Sequence, residues 1–135
     1  MIDYARKKLI DGEYTCFVCV NGKEYSSKQR GVRPLIDFLQ SGESFSGGFA
    51  ADKTIGAGAA HLYALLKVQA VWAKVISQSA LQILKENGIS VSYEELVPHI
   101  INRQGNGICP IEQTVYEMKS SAEAYEKMLE RLKSL

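Results

Sequence analysis

The sequence has little cysteine, histidine or proline, no excess of charge of either sign, and no long apolar run. Its three cysteines are an odd number, and its two histidines offer few ligands to a metal. A net charge of +1 gives no general reason to expect a nucleic acid or an anionic membrane as a partner. The longest apolar stretches, around 57–66 and 70–73, are well short of the roughly 20 residues that cross a bilayer. We therefore predict no membrane helix.

The composition is that of an ordinary soluble globular protein, with 46% apolar and 23% charged residues. A chain of 135 residues can bury one core without disulfide or metal support, so we predict a single domain over residues 1–135. The first residues lack the apolar core and small-residue cleavage site of a secretory signal. Together with the odd number of cysteines, this predicts a cytoplasmic protein.

Apolar periodicity and turn signals predict alternating helices and strands. The predicted elements are a helix over 2–10, strands over 14–20 and 23–27 joined by Asn21-Gly22, a helix from Pro34 to Gly42, a helix over 50–67, a strand over 71–76, a helix from about 77 to 85, a strand over 89–93, and helices over 110–118 and 122–132. Helix-strand repeats after a hairpin imply parallel strands beside antiparallel ones. The predicted fold is therefore α/β, a three-layer α/β/α arrangement around a mixed sheet of about four to five strands.

The predicted helix over 50–67 is rich in small residues. Gly56 and Gly58 would each cost it about 1 kcal/mol relative to alanine. Such a cost suggests close packing, so we place this helix at the centre of the fold, flat against the strands. His61 on the same helix is predicted to be an interior histidine with its hydrogen bonds satisfied.

A glycine-rich loop leads into the next-to-last predicted helix through Gly-Asn-Gly-Ile-Cys-Pro-Ile-Glu at 105–112. Pro110 suits the first helical position, where a missing amide hydrogen costs nothing, and this makes Cys109 the N-cap. A thiol facing the positive end of the helix dipole should ionise more readily than a free thiol. Cys109 is therefore a candidate nucleophile or redox thiol, and the alternative is a small buried cap without reactivity.

Glu112 lies in the same predicted first turn. Its charge would raise the pKa of a neighbouring thiol through like-charge repulsion, which counts against strong activation of Cys109. Its other role would be one half of a capping arrangement, which is purely structural.

Residues 47–54, Gly-Gly-Phe-Ala-Ala-Asp-Lys-Thr, depart by one residue from the phosphate-loop pattern, because Asp52 replaces the second glycine. A Ser/Gly-rich loop also precedes the segment, where a phosphate loop has a buried strand. A weaker prediction is that Gly47, Gly48 and the following helix start hold a small anion, with Lys53 as the counter-charge. The alternative is that Asp52 and Lys53 form an ordinary surface ion pair or cap.

Three arginines are candidates for a basic rim that pairs with phosphate or carboxylate, namely Arg30, Arg33 and Arg103. Solvated surface charges are the alternative interpretation. Cys16 and Cys19 are three residues apart on a predicted strand, so they point to opposite faces and cannot share a metal or a disulfide.

Zinc needs about four ligands drawn from cysteine, histidine and carboxylate. The candidates in this sequence show no strong spacing; they are Asp52, His61, His99, Cys109 and Glu112. We predict neither a metal site nor another cofactor.

The order helix, hairpin, long helix, strand, helix, strand, with Cys-Pro at a later helix start, resembles the cytidine-deaminase-like fold. Zinc deaminases begin one helix with His-x-Glu and a later helix with Pro-Cys-x-x-Cys, where the His and both Cys bind zinc and the Glu moves protons. On this resemblance Ala50 stands at the position of the zinc-binding His, and Asp52 is at best the counterpart of the proton-shuttling Glu. Cys109 corresponds to one of the two zinc-binding Cys, and Glu112 stands at the position of the other.

Several segments look like a small prokaryotic family of unknown function, and this likeness covers nearly the whole chain. The segments are Arg-Gly-Val-Arg-Pro-Leu at 30–35, Ala-Asp-Lys at 51–53, Ala-Lys-Val-Ile-Ser at 73–77, Glu-Glu-Leu-Val-Pro at 94–98, Ile-Asn-Arg at 101–103 and Gly-Ile-Cys-Pro at 107–110. The resemblance implies a deaminase-like three-layer fold without the zinc motif, and no established activity.

The leading hypothesis is a metal-independent enzyme with a cleft at the starts of the predicted helices at 50 and 110. Cys109 would be a nucleophile or covalent attachment point, Asp52 a proton carrier or orienter, and Lys53 an anchor for a small anionic or nucleotide-like ligand. One alternative is a non-catalytic ligand-binding or regulatory module. Another is a structural partner that forms a homo-oligomer through a sheet edge or the last helix.

Overall fold

Helices and strands alternate along residues 1–101, 105, 107–115 and 117–133, which are the residues that the computed structural model describes. In chain order they are α1 (Ile2–Asp11), β1 (Cys16–Val20), β2 (Lys23–Ser27), α2 (Arg33–Gln40), β3 (Phe49–Ile55), α3 (Ala57–Leu66), β4 (Ala70–Ser77), α4 (Gln78–Glu86), β5 (Ser90–Val97), α5 (Pro110–Val115) and α6 (Ser121–Lys133). The predicted α/β class is confirmed. Among these helices none has the length and apolar character needed to cross a membrane.

The strands in the described part of the chain form one sheet of five, in the order β2-β1-β3-β4-β5. β1 pairs antiparallel with β2 and with β3, whereas β3, β4 and β5 are parallel neighbours. The hairpin turn has positive φ at both Asn21 and Gly22, as a type I′ turn requires. The predicted mixed sheet is confirmed, and β2 lies at one of its edges.

Buried side chains on both faces of the sheet hold three layers together. On one face, Ala5 and Leu9 of α1 cluster with Phe17 of β1, Ala51 of β3 and Trp72 of β4. The other face packs against α3, in which residues 57–63 are all buried. Because strand side chains alternate, β1 serves both layers and is buried along its whole length.

Cys16 and Cys19 lie on opposite faces of β1, as predicted. Cys16 belongs to the core on the α3 side, and Cys19 belongs to the core on the α1 side. Both thiols are free. They are packing residues on two sides of one strand, which keeps them from sharing a ligand.

The helix predicted over 50–67 is wrong in its first part, because Phe49–Ile55 form β3 and only Ala57–Leu66 form a helix. Ala50 and Ala51 favour helix locally, but β3 is paired with β1 on one side and β4 on the other. Small side chains also suit this central strand, where both alanines are fully buried. Asp52 therefore lies on a strand, and its match with Ala50 to the helix start of a zinc deaminase is wrong.

The two glycines of the predicted helix lie at the start of α3. Gly56 is its N-cap, and Gly58 lies in its first turn. A Cβ added to Gly58 would lie 2.6 Å from Cγ2 of Ile111 and 3.0 Å from Sδ of Met128. The predicted close packing is present, but at Gly58 the neighbours are α5 and α6 instead of the strands.

Candidate functional site

A cavity of about 700 Å³ opens beside β3, where α2, α3 and α5 begin. Four of the predicted site residues line it, namely Arg33, Asp52, Lys53 and Cys109. They come from three segments that are far apart in the chain, since Asp52 and Lys53 are neighbours. The cleft was predicted at two helix starts, and the structure forms it from a strand and three helix starts.

Gly47 and Gly48 are not among the described residues that line the cavity. They lead into a strand, so the helix start on which the predicted anion site depended does not follow them. Their amide groups are also in use, because Gly47 donates to the carbonyl oxygen of Lys67 and Gly48 to that of Phe45. Arg103, the remaining predicted ligand-binding residue, lies outside the described residues.

A tight turn before α2 brings two arginines to the cavity. Gly31 has a φ of +74°, a left-handed conformation that glycine adopts without strain. The turn separates Arg30 from Arg33, the first residue of α2, and both line the cavity. Two of the three arginines of the predicted basic rim therefore lie at the cavity.

Asp52 is the buried acid of the cavity, with 9% of its surface exposed. One carboxylate oxygen, Oδ1, accepts the backbone N–H of Thr54 at 3.2 Å, and Oδ2 accepts the Tyr63 hydroxyl at 2.7 Å. Burial raises the pKa of Asp52 to about 7, although the Tyr63 hydroxyl and the Thr54 and Lys53 amides act in the opposite direction. Near neutral pH this carboxyl group can therefore give or take a proton.

Lys53 follows Asp52 on β3 but has an exposed side chain. Both residues line the cavity, but the Lys53 side chain is exposed to solvent whereas the Asp52 carboxyl is buried. No ion pair joins these two described residues. The predicted alternative of an Asp52–Lys53 surface ion pair is therefore wrong.

Tyr63 and Cys16 lie behind Asp52 and were not predicted as site residues. The Tyr63 hydroxyl lies 3.4 Å from the sulfur of Cys16 and donates to Asp52. Burial and the nearby Asp52 raise the pKa of Cys16 well above its usual value, and burial likewise raises the pKa of Tyr63. Both groups stay protonated at neutral pH, so Tyr63 is a constant hydrogen-bond donor to the Asp52 carboxylate.

Cys109 occupies the predicted N-cap of α5. Its carbonyl oxygen accepts the N–H of Gln113 at 2.9 Å, and its own N–H donates to the carbonyl oxygen of Ile100 at 2.9 Å. An isolated antiparallel β-bridge pairs Ile101 with Ile108, the residue directly before Cys109. The side chain is half-buried and lines the cavity. The cap position is confirmed, and the reactivity of this thiol stays a prediction.

Glu112 is buried, with 2% of its surface exposed, and it links three helices. Its Oε2 accepts the backbone N–H of Ala57 at the start of α3, and its Oε1 accepts the Ser79 hydroxyl of α4 at 3.3 Å. Gly56 leaves room for this carboxylate, since an added Cβ there would displace it. Of the two predicted roles the structural one is present, although Glu112 caps α3 instead of its own helix.

His61 is fully buried, as predicted, and is not among the described residues that line the cavity. Its Nε2 has no hydrogen-bond partner among the described residues, so the predicted satisfaction of its hydrogen bonds is only partial. Its Nδ1 lies 3.0 Å from the Ser121 hydroxyl, and burial lowers its pKa. The imidazole is therefore neutral and joins α3 to α6. Across the described ranges no three His, Cys, Asp or Glu side chains are grouped so as to hold a metal ion.

Comparison with known proteins gives a family match over almost the whole chain. The family model described as TM1506, domain of unknown function (DUF1893), matches residues 4–132. The crystal structure of a DUF1893 family protein (TM1506) from Thermotoga maritima is similar with a TM-score of 0.87 and 28% identity, over 96% of this chain and 88% of that chain. No sequence among the curated proteins matches. The predicted resemblance to a family of unknown function is confirmed.

Two deaminase structures show a weaker likeness. A diaminohydroxyphosphoribosylaminopyrimidine deaminase/5-amino-6-(5-phosphoribosylamino)uracil reductase from Thermotoga maritima has a TM-score of 0.47 and 12% identity, over 58% of this chain and 28% of that chain. A dCMP deaminase from the cyanophage S-TIM5 has a TM-score of 0.44 and 17% identity, over 61% of this chain and 78% of that chain. At these values neither structure bears on the activity of this chain.

Proposed function

The chain belongs to the DUF1893 family, whose function is unknown, and we propose from its cavity that it is a metal-independent enzyme. In this proposal Cys109 is the nucleophile, Asp52 carries a proton, and Lys53 and Arg33 anchor a small anionic or nucleotide-like ligand. The observation that carries the proposal is that these four residues, which come from three separate segments of the chain, line one cavity. A nucleophile, a proton carrier and a cationic anchor in one cavity are the parts that covalent catalysis needs.

The chemistry of Asp52 supports its part in the reaction. A proton carrier works best when its pKa lies near the working pH, and burial brings this carboxyl to about 7. Tyr63 holds one carboxylate oxygen and the Thr54 amide the other, so the group is fixed in place. Asp52 therefore has both the acidity and the fixed position that a proton carrier requires.

The proposed step is addition of the Cys109 thiol to a C=O or C=N carbon of the ligand. A carbon–sulfur bond forms, and the π electron pair of the ligand moves onto its oxygen or nitrogen. Protonated Asp52 gives that atom a proton and then regains the proton lost by the thiol. Atoms and electrons balance without a further reactant, and the ligand leaves by the reverse of this addition or by a later step.

The surroundings of Cys109 support a role for the thiol itself. Glu112, the carboxylate of its helix, lines the same cavity, but both of its oxygens already accept hydrogen bonds, from the Ala57 amide and the Ser79 hydroxyl. All three cysteines are free thiols. Free thiols persist in a reducing cytoplasm, so we propose that the protein is cytoplasmic. A non-catalytic ligand-binding module is the second candidate, since Arg33 and Lys53 in the cavity would serve binding alone equally well.

Iodoacetamide labelling followed by peptide mapping tests the proposal. At neutral pH we expect Cys109 to react faster in the folded protein than in the urea-unfolded chain, and at least about tenfold faster than buried Cys16 and Cys19. The variant Cys109→Ser should lose the fast phase and keep the fold. If folding slows the reaction of Cys109, the thiol is shielded, and the non-catalytic ligand-binding module becomes the better-supported function.

A further inference from the structure

Three cations line the cavity, and none of them forms an ion pair with another described residue. Arg30, Arg33 and Lys53 all have exposed side chains. The ion pairs within the described residues involve other groups, which are Lys23 with Glu43 and Lys127 with Glu130. The three positive charges are therefore available to a ligand.

The two acids of the cavity do not neutralise these cations. Burial raises the pKa of Asp52 to about 7, so this carboxyl is partly neutral at physiological pH. Glu112 is buried and is engaged by the Ala57 amide and the Ser79 hydroxyl. The accessible part of the cavity is therefore positively charged.

The rest of the wall is largely apolar, with Ile100, Ile101 and Ile111 among the lining residues. The volume of about 700 Å³ lies within the range of cavities that hold cofactor-sized molecules, and it is much larger than a simple anion needs. The cavity thus has a cationic part and an apolar part, which suits a ligand with an anionic group and an apolar body.

We propose that the ligand of this cavity is a small phosphate monoester, bound through its phosphate by Arg30, Arg33 and Lys53. Its body would lie against the isoleucines, within reach of Asp52 and Cys109. A phosphate monoester carries nearly two negative charges at neutral pH and can be held bidentately by guanidinium groups, so three cations match it better than a monocarboxylate. This inference rests on the proposed function, because it names the ligand class of the same cavity.

Calorimetric titration of the purified protein with four probes tests the inference. The probes are adenosine 5′-monophosphate, cytidine 5′-monophosphate, ribose 5-phosphate and inorganic phosphate, with adenosine, cytidine and ribose as matched compounds without phosphate. We expect at least one phosphate monoester to bind at least about tenfold more tightly than its matched compound and than inorganic phosphate. If no phosphate probe binds at millimolar concentration, or if the matched compounds bind equally well, the inference is wrong.

Variants locate the binding and separate this inference from the proposed function. Arg33→Ala should weaken binding of the monoester at least about tenfold, and Arg33→Lys should weaken it less. Lys7→Ala, at an exposed lysine of α1 in the opposite layer, should leave binding unchanged. Cys109→Ser should also keep phosphate binding. An unreactive Cys109 with intact phosphate binding overturns only the catalytic proposal, and a reactive Cys109 without phosphate binding overturns only the ligand class.

Discussion

The variant Asp52→Asn should be more stable than the natural protein at about pH 8, by about 2 to 4 kcal/mol, and equally stable near pH 4. Folding raises the pKa of Asp52 from its ordinary 3.8 to about 7, mainly through burial. Below the lower value both states hold the proton, and the group costs nothing. As the pH rises toward 7 the unfolded chain loses this proton first, so the folded state becomes less stable.

Urea unfolding at several pH values measures this effect as the difference in unfolding free energy between the variant and the natural protein. The difference should rise between about pH 4 and pH 7, where Asp52 is ionised in the unfolded chain and protonated in the folded one, and then level off once it is ionised in both states. Asp37→Asn, at an exposed aspartate of α2, is the control and should show a much smaller change with pH. A difference that does not vary with pH would mean that Asp52 is not a buried titrating group.

This prediction bears on function because a buried carboxyl that lowers the free energy of unfolding at neutral pH is expected to serve another role. Tyr63 and Thr54 hydrogen-bond to Asp52 but do not cancel the effect of burial on its pKa. A stability cost at neutral pH is typical of groups kept for activity. We therefore expect Asp52→Asn to gain stability and to lose any reaction that depends on proton transfer.

Glu112→Ala should destabilise the protein by about 2 to 4 kcal/mol. The substitution removes the acceptor of the Ala57 amide and of the Ser79 hydroxyl, which leaves the buried Ala57 amide unpaired where α3, α4 and α5 meet. It also leaves a small void next to Gly56. Because α5 begins at Pro110, directly after Cys109, loosening this helix should also change how fast the thiol reacts.

Urea unfolding again gives the value, and two further variants control it. Glu112→Gln keeps the shape and one oxygen acceptor, so we expect a smaller loss than for alanine. Glu126→Ala, at an exposed position of α6, should change stability by less than about 0.5 kcal/mol. Equal stability of Glu112→Ala and the natural protein would show that this carboxylate does not hold the helices together.

The parts of the fold that depend on local signals were predicted correctly from the sequence. Asn21-Gly22 supplies the positive φ angles of the hairpin turn, and Pro110 marks the helix start that makes Cys109 a cap. The helix predicted from about 77 to 85 is α4, and the Ser77 hydroxyl caps it by accepting the N–H of Ala80. In each case neighbouring residues alone determine the backbone, so no knowledge of the remaining chain is needed.

The strand at 49–55 was missed because its cause is not local. Its alanines favour helix, and only pairing with β1 and β4 makes a strand the better choice. Because residues 49–55 were predicted as helix, Tyr63 was not predicted as a site residue. Its contact with Asp52 depends on α3 packing against β3. A strand assignment would have placed Asp52 opposite Cys16 on β1, which is the one signal that could have revealed this buried group.

The central claim, that the cations and the Cys109 thiol share one cavity, is tested most directly by alkylation with two reagents of similar size and different charge. The measurement is the ratio of the rates at which anionic iodoacetate and neutral iodoacetamide label Cys109, mapped by peptide and compared with the same ratio in the urea-unfolded chain. Cations within a Debye length should raise this ratio about tenfold on folding at low salt, and Arg33→Ala should reduce the increase. A folded ratio equal to or below the unfolded one would contradict the account.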